Sequence, residues 1–309
     1  MKTLFVSVVI ALMGLLSVCT PASAQTATPT AAPTTAPAIT HRFLKSGCNS
    51  GSVAIVSADG QIEWEYKIAD ETNDSWLLPN GDIVFAHKFG VREVTPDKQI
   101  VWEYKAPKDA EVHSCQPLPG DRFLIGEARK DVGYLYEMDR GGKIHKTITI
   151  PSTGGAHSQF RVVRKTPQNT YLVTYQRNGG KAMEFDGDGK LLRTFPGGRF
   201  AAIRLPDGNT LIAGGDEHRI IEVDPKDNIV WEVNQNDIPG NMIGFAAGMQ
   251  RLPNGNTVIC NWSGHGGSKD QPQVFEITRD KRLVWELKDK RLNMISSIQI
   301  LDVVGELLR

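Results

Sequence analysis

One phrase recurs six times along this 309-residue chain, whole or in part, and it restricts the chain to one kind of architecture. In full it reads Leu-Pro-Asn-Gly and then Asn or Asp, an apolar run, a Glu-apolar-(Asp/Thr) triplet, and an apolar-apolar-Trp-Glu strand. Leu78-Pro79-Asn80-Gly81 leads to Glu93-Val94-Thr95 and Ile100-Val101-Trp102-Glu103. Leu205-Pro206-Asp207-Gly208 leads likewise to Glu222-Val223-Asp224 and Ile229-Val230-Trp231-Glu232. Glu93, Glu137, Glu184, Glu222 and Glu276 each stand nine residues before Trp102, Lys146, Arg193, Trp231 and Trp285. The first copy keeps the spacing before Trp64 but has Ile55 in place of the acid. The turn prolines Pro79, Pro119, Pro167, Pro206 and Pro253 lie 40, 48, 39 and 47 residues apart. A period in the forties built from short strands is that of propeller blades, not of helical solenoids.

Each copy reads as four strands, named A to D from the axis outward. Proline presets φ at the second turn position and glycine takes the positive φ that follows, so Leu-Pro-Asn-Gly is an A–B hairpin. The segment from Arg42 to Ile68 supplies strands B, C and D of a first blade but no strand A. The stretch from Met294 to Val303 reads as a strand A with no blade after it. The expectation is an all-β, six-bladed β-propeller of four-stranded antiparallel blades, closed by the C-terminal strand completing the N-terminal blade. Closure removes the exposed edges of an open array.

Residues 1–24 read as a secretory signal: Lys2, an apolar run from Leu4 to Val18, and Ala22-Ser23-Ala24 before a cleavage point. Residues 25–40, mostly Ala, Thr and Pro without charge, read as a disordered linker, and 41–309 as a single propeller domain. The expected location is therefore secreted or periplasmic. The chain carries 35 basic and 35 acidic residues, and Lys2 leaves with the signal. That balance argues against nucleic acid or an acidic membrane surface as a partner, and nothing after residue 40 is long and apolar enough to span a bilayer. Cys48, Cys115 and Cys260 remain in the mature chain, an odd count that leaves at least one thiol unpaired. Buried free thiols are expected, with a Cys48–Cys260 bridge as the alternative.

Strand direction places the D–A connections and B–C loops on one face of the disc. Those loops vary in length while the opposite hairpins are short and repetitive, so the candidate site is the funnel on the loop face. His113 and His157 open the A strands of blades three and four in the echoing pairs His113-Ser114 and His157-Ser158. They, with Arg161, are the candidate catalytic residues: imidazoles for acid–base work and a guanidinium for an anionic group. Alternation puts Gln159 and Arg161 on the side of His157. His87, Gln159, Arg177, Asp216, His218, Asn261, Trp262 and His265 are candidate ligand-binding residues. His145 reads as structural, and His41 as preceding the fold. No close-spaced ligand motif points to a metal, so neither a metal nor a cofactor is expected.

The repeat, together with His157-Ser158-Gln159-Phe160-Arg161, Phe200-Ala201-Ala202 and Cys260-Asn261-Trp262-Ser263-Gly264-His265, resembles the secreted bacterial PQQ-like six-bladed propellers. The resemblance spans about residues 42–303. The repeat is also similar to that of bacterial arylsulfate sulfotransferases, a family in which a channel histidine carries sulfate transiently. No one position here matches that histidine, and that family's extra domain is missing. PQQ itself is not implied, because PQQ dehydrogenases resemble eight-bladed rings with a vicinal disulfide and this chain has no Cys-Cys pair. The leading functional expectation is a monomer that binds a small polar or sugar-like ligand in the funnel. An enzyme (lyase, hydrolase or sulfotransferase) is the alternative, and a protein-interaction scaffold the third reading.

Overall fold

A computed structural model describes residues 40–309 except 153, 177–178, 241 and 266–269. The expected signal, nearly all of the linker, and Arg177 therefore lie outside the described residues. Six four-stranded antiparallel sheets form, each with its strands in A-B-C-D order. The A strands are Ser297–Ile300 in blade one, Thr72–Leu77 in two and Glu111–Leu118 in three. Phe160–Lys165, Ala201–Arg204 and Ala246–Arg251 follow in blades four, five and six. Each A strand packs beside the next, and the last beside the first. The ring closes as expected: Phe43–Ser46, strand B of blade one, pairs antiparallel with Ser297–Ile300, Phe43 facing Ile300.

The repeat's residues hold blade to blade. Strands B and C are buried, with Phe85, Phe123, Phe185 and Phe275 filling the space between sheets, whereas the D strands are half exposed. The C–D pairing of every blade slips at the recurring glutamate position, Ile55 in blade one, with the extra residue on strand D. Each acid at that position reaches the following blade. Glu93 meets Arg140 at 2.7 Å, Glu137 meets Lys165 at 2.5 Å, Glu184 meets Arg204 at 2.6 Å and Glu222 meets Arg251 at 3.0 Å. At the seam Glu276 meets His41 at 2.7 Å. His41 therefore does not precede the fold: it is buried in the closure, edge-on to Trp285.

A polar plug closes the axis below the loop face. Asp74 accepts from Arg164 at 2.7 and 3.0 Å, and Arg309 donates to the Ser75 carbonyl at 2.5 Å. Both guanidiniums lie over the Trp76 ring, and about 10 Å³ of free volume remains beside them. A ligand on the loop face thus meets a floor, not a through-channel. No helix among the described residues is long and apolar enough to cross a membrane.

Candidate functional site

The funnel is built by irregularities in three neighbouring A strands. The A–B register slips between Thr72 and Asp74, between Val112 and Ser114, and between Phe160 and Val163. Asn73, His113 and Arg161 are residues that these slips release from the ladder. A bulge re-aims the side chain it frees, and these three meet. Asn73 Nδ2 lies 3.1 Å from His113 Nδ1, and Arg161 Nη1 lies 3.1 and 3.2 Å from the two His113 ring nitrogens.

Glu111 joins this group to His157. Its Oε2 lies 2.8 Å from His157 Nδ1 and 3.4 Å from His113 Nε2, and its Oε1 lies 3.4 Å from Lys88 Nζ. The two imidazoles meet edge-on, 5.9 Å between centroids. His113 is fully buried whereas the His157 side chain is 49% exposed. Burial first, and the Arg161 charge second, hold His113 down to about 4, so its imidazole is neutral. Burial alone would raise Glu111, but its contacts with His113 and His157 outweigh that and hold it down to about 2. Glu71 reaches the same space, its Oε2 3.9 Å from His157 Nδ1, buried and without a hydrogen bond. Burial, and then Glu71, push the Cys48 thiol up to about 12, so it is no thiolate.

His157 is not on strand A. It sits in a single 3-10 turn, Ala156–Ser158, entered from Gly155 at φ 76°. The strand alternation expected for Gln159 consequently fails: Gln159 is buried and donates to the Arg129 and Lys130 carbonyls at 3.2 Å. Arg161 reaches the site through the register slip instead.

Other candidates fall elsewhere. His265 pairs with Asp216 at 3.0 Å, in an edge-to-face cluster with Phe245 and Trp262 on blades five and six. Trp262 donates to the Cys48 carbonyl at 3.2 Å, linking that cluster to the funnel rim. His218 is held by the Gly244 carbonyl at 2.6 Å. Asn261 spends its amide on the backbone, accepting from Gly244 and Phe245 and donating to the Met242 and Pro272 carbonyls. His87 is buried beside Phe85, neither ring nitrogen hydrogen-bonded, and its pKa is lowered by burial and then by Arg92. Cys48, Cys115 and Cys260 are free thiols.

Fold and site together define a six-bladed β-propeller with a polar funnel on its loop face. The chain is similar to a solved protein of unknown function from Bacteroides caccae, 29% identical, covering 84% of this chain and 98% of that one at a TM-score of 0.78. Virginiamycin B lyase from Staphylococcus aureus, solved as a catalytically inactive variant with quinupristin, is 13% identical and shares the fold alone. It covers 81% of this chain and 85% of its own at a TM-score of 0.57. A streptogramin B lyase is alike at 16% identity over 83% and 85%, TM-score 0.56. No protein-family model and no curated protein sequence matches the chain.

Sequence reasoning missed Glu71, Asn73 and Glu111. The available signal was the spacing: Glu71-x-Asn73 and Glu111-x-His113 occupy the same place at the start of consecutive A strands.

Proposed function

We propose that this is a secreted or periplasmic propeller of the PQQ-like repeat class that takes a small polar or sugar-like molecule in the loop-face funnel and acts on it by acid–base chemistry. The observation that carries the reading is the Glu111–His157 pair beside buried Arg161. With Glu111 accepting from Nδ1–H, His157 presents the lone pair of Nε2 outward from a half-exposed ring. A carboxylate so placed fixes the tautomer and stabilises the imidazolium formed when His157 takes a proton. Arg161 and Lys88 supply positive charge for an anionic group on the ligand. Lyase or hydrolase chemistry fits this arrangement; a simple binding propeller would use the same contacts without turnover. A protein scaffold fits less well. The exposed apolar residues Ile100, Val101, Leu191, Leu192, Ile229 and Val230 lie on the outer D strands, away from the funnel.

Thermal-shift screening of sugars, sugar acids and aryl sulfates, with EDTA present, tests the reading. Compounds that stabilise the wild type and fail to stabilise a His113→Ala/His157→Ala double variant are expected. Compounds that shift both proteins alike would remove the basis for it.

A further inference from the structure

We infer that Glu111, His113 and His157 form a site for a divalent transition-metal ion of the Zn²⁺ or Mn²⁺ kind, two imidazoles and one carboxylate leaving open positions towards the funnel. The inference rests on the funnel being the working site and adds an ion to it. One ligand atom from each residue lies within 4.8 Å of the other two. Zinc–nitrogen and zinc–oxygen distances are about 2.0–2.2 Å, so the three must draw inwards by roughly an ångström. His157 is suited to make that movement, because it is half exposed on a one-turn helix.

His113 is already prepared. Arg161 Nη1 is almost equidistant from its two ring nitrogens. An atom so placed in the ring plane would collide with Cε1, so the guanidinium lies over the ring face and leaves the in-plane lone pairs free. Asn73 fixes the far nitrogen. Its Nδ2 donates to Nδ1 and holds the ring with Nε2 directed towards Glu111; an ion at Nε2 takes the place of the proton there, and the Asn73 amide turns to accept from Nδ1–H.

A second observation points to a cation. The Glu71 Oε2 atom is buried beside His157 with no hydrogen bond, and a carboxylate oxygen left that way is costly. An ion at His157 would supply the missing partner. Lys88, whose side chain is 35% exposed, can swing away from Glu111 as the ion arrives. Two imidazoles with carboxylate oxygen select transition metals over Mg²⁺, which prefers an all-oxygen shell. The ion takes the lone pairs that Glu111 and His157 share, so in the loaded protein a metal-bound water would handle the proton in place of His157.

Isothermal titration of ZnCl₂, MnCl₂ and MgCl₂ into the EDTA-treated and dialysed full chain tests the site. A single Zn²⁺ or Mn²⁺ per chain is expected for wild type and for His145→Ala, an outer-strand control. Binding should be lost in Glu111→Gln and in His157→Gln, the latter a half-exposed residue whose change leaves the fold intact by circular dichroism. Asn73→Ala should bind about tenfold more weakly. No stoichiometric binding by wild type, equal binding by His157→Gln, or preference for Mg²⁺ would overturn the inference. Its failure is separable from that of the funnel reading. A polar ligand bound by EDTA-treated protein and lost in Arg161→Ala, with no Zn²⁺ bound, sinks the ion and keeps the funnel. Zn²⁺ bound with no ligand found keeps the ion and sinks the reading.

Discussion

His41 and Glu276 lie 2.7 Å apart across the seam where the chain closes its ring, the place that Arg140, Lys165, Arg204 and Arg251 fill between the other blades. Here the cation is titratable. Burial alone would lower the His41 pKa, but hydrogen bonds to Glu276 and Asp302 outweigh it and raise it above 6.5. A raised folded value means the stabilisation is complete below 6.5 and is lost as pH rises through the folded value. Urea unfolding should therefore show His41→Ala less stable than wild type by about 2 kcal/mol at about pH 5.5, and the gap should narrow by about pH 8.5. A gap independent of pH would show that His41 contributes packing alone.

Ring closure itself has a sharper test. Removing Met294–Arg309 takes away strand A of blade one together with Arg309 and leaves Phe43–Ser46 as an open edge. The truncated chain should lose its β circular dichroism and aggregate. A folded truncated monomer on size exclusion would contradict the closure.

Asp74 is the acidic side chain that pairs with both Arg164 and Arg309 in the plug. Asp74→Ala leaves two buried guanidiniums facing each other. The expected loss is about 3–5 kcal/mol of unfolding free energy. Denaturant unfolding measures it, and a near-neutral result would mean that the plug rearranges.

Arg161 separates ligands by charge. Arg161→Ala should weaken binding of an anionic ligand by about 1.5–3 kcal/mol, the scale of a hydrogen bond to a charged group, while a neutral sugar is little affected. Arg161→Lys should restore only part of the loss, since an ammonium lacks the planar fork. Titration calorimetry on the three proteins reads this out.

The blades were legible because their signals are local. Leu-Pro-Asn-Gly sets a turn, and the nine-residue step from Glu to Trp spans one C–D hairpin. The site was legible only in part. His113 and Arg161 were found because of their chemistry, but the register slips that bring them together carry no glycine or proline to mark them. Glu111 acts through a contact 46 residues along the chain, on a turn that sequence alternation reads as strand. Asn261 stands in the suggestive run before His265, yet its amide is consumed in holding the Met242–Phe245 loop.

The histidines themselves give the most direct test of the funnel. Side-chain ¹⁵N resonances of the seven histidines can be followed while a ligand from the thermal-shift screen is titrated in. Perturbation concentrated on His113 and His157, with His41 and His145 unmoved, is the predicted result. Perturbation confined to His218 and His265 would place the ligand on blades five and six and contradict the account.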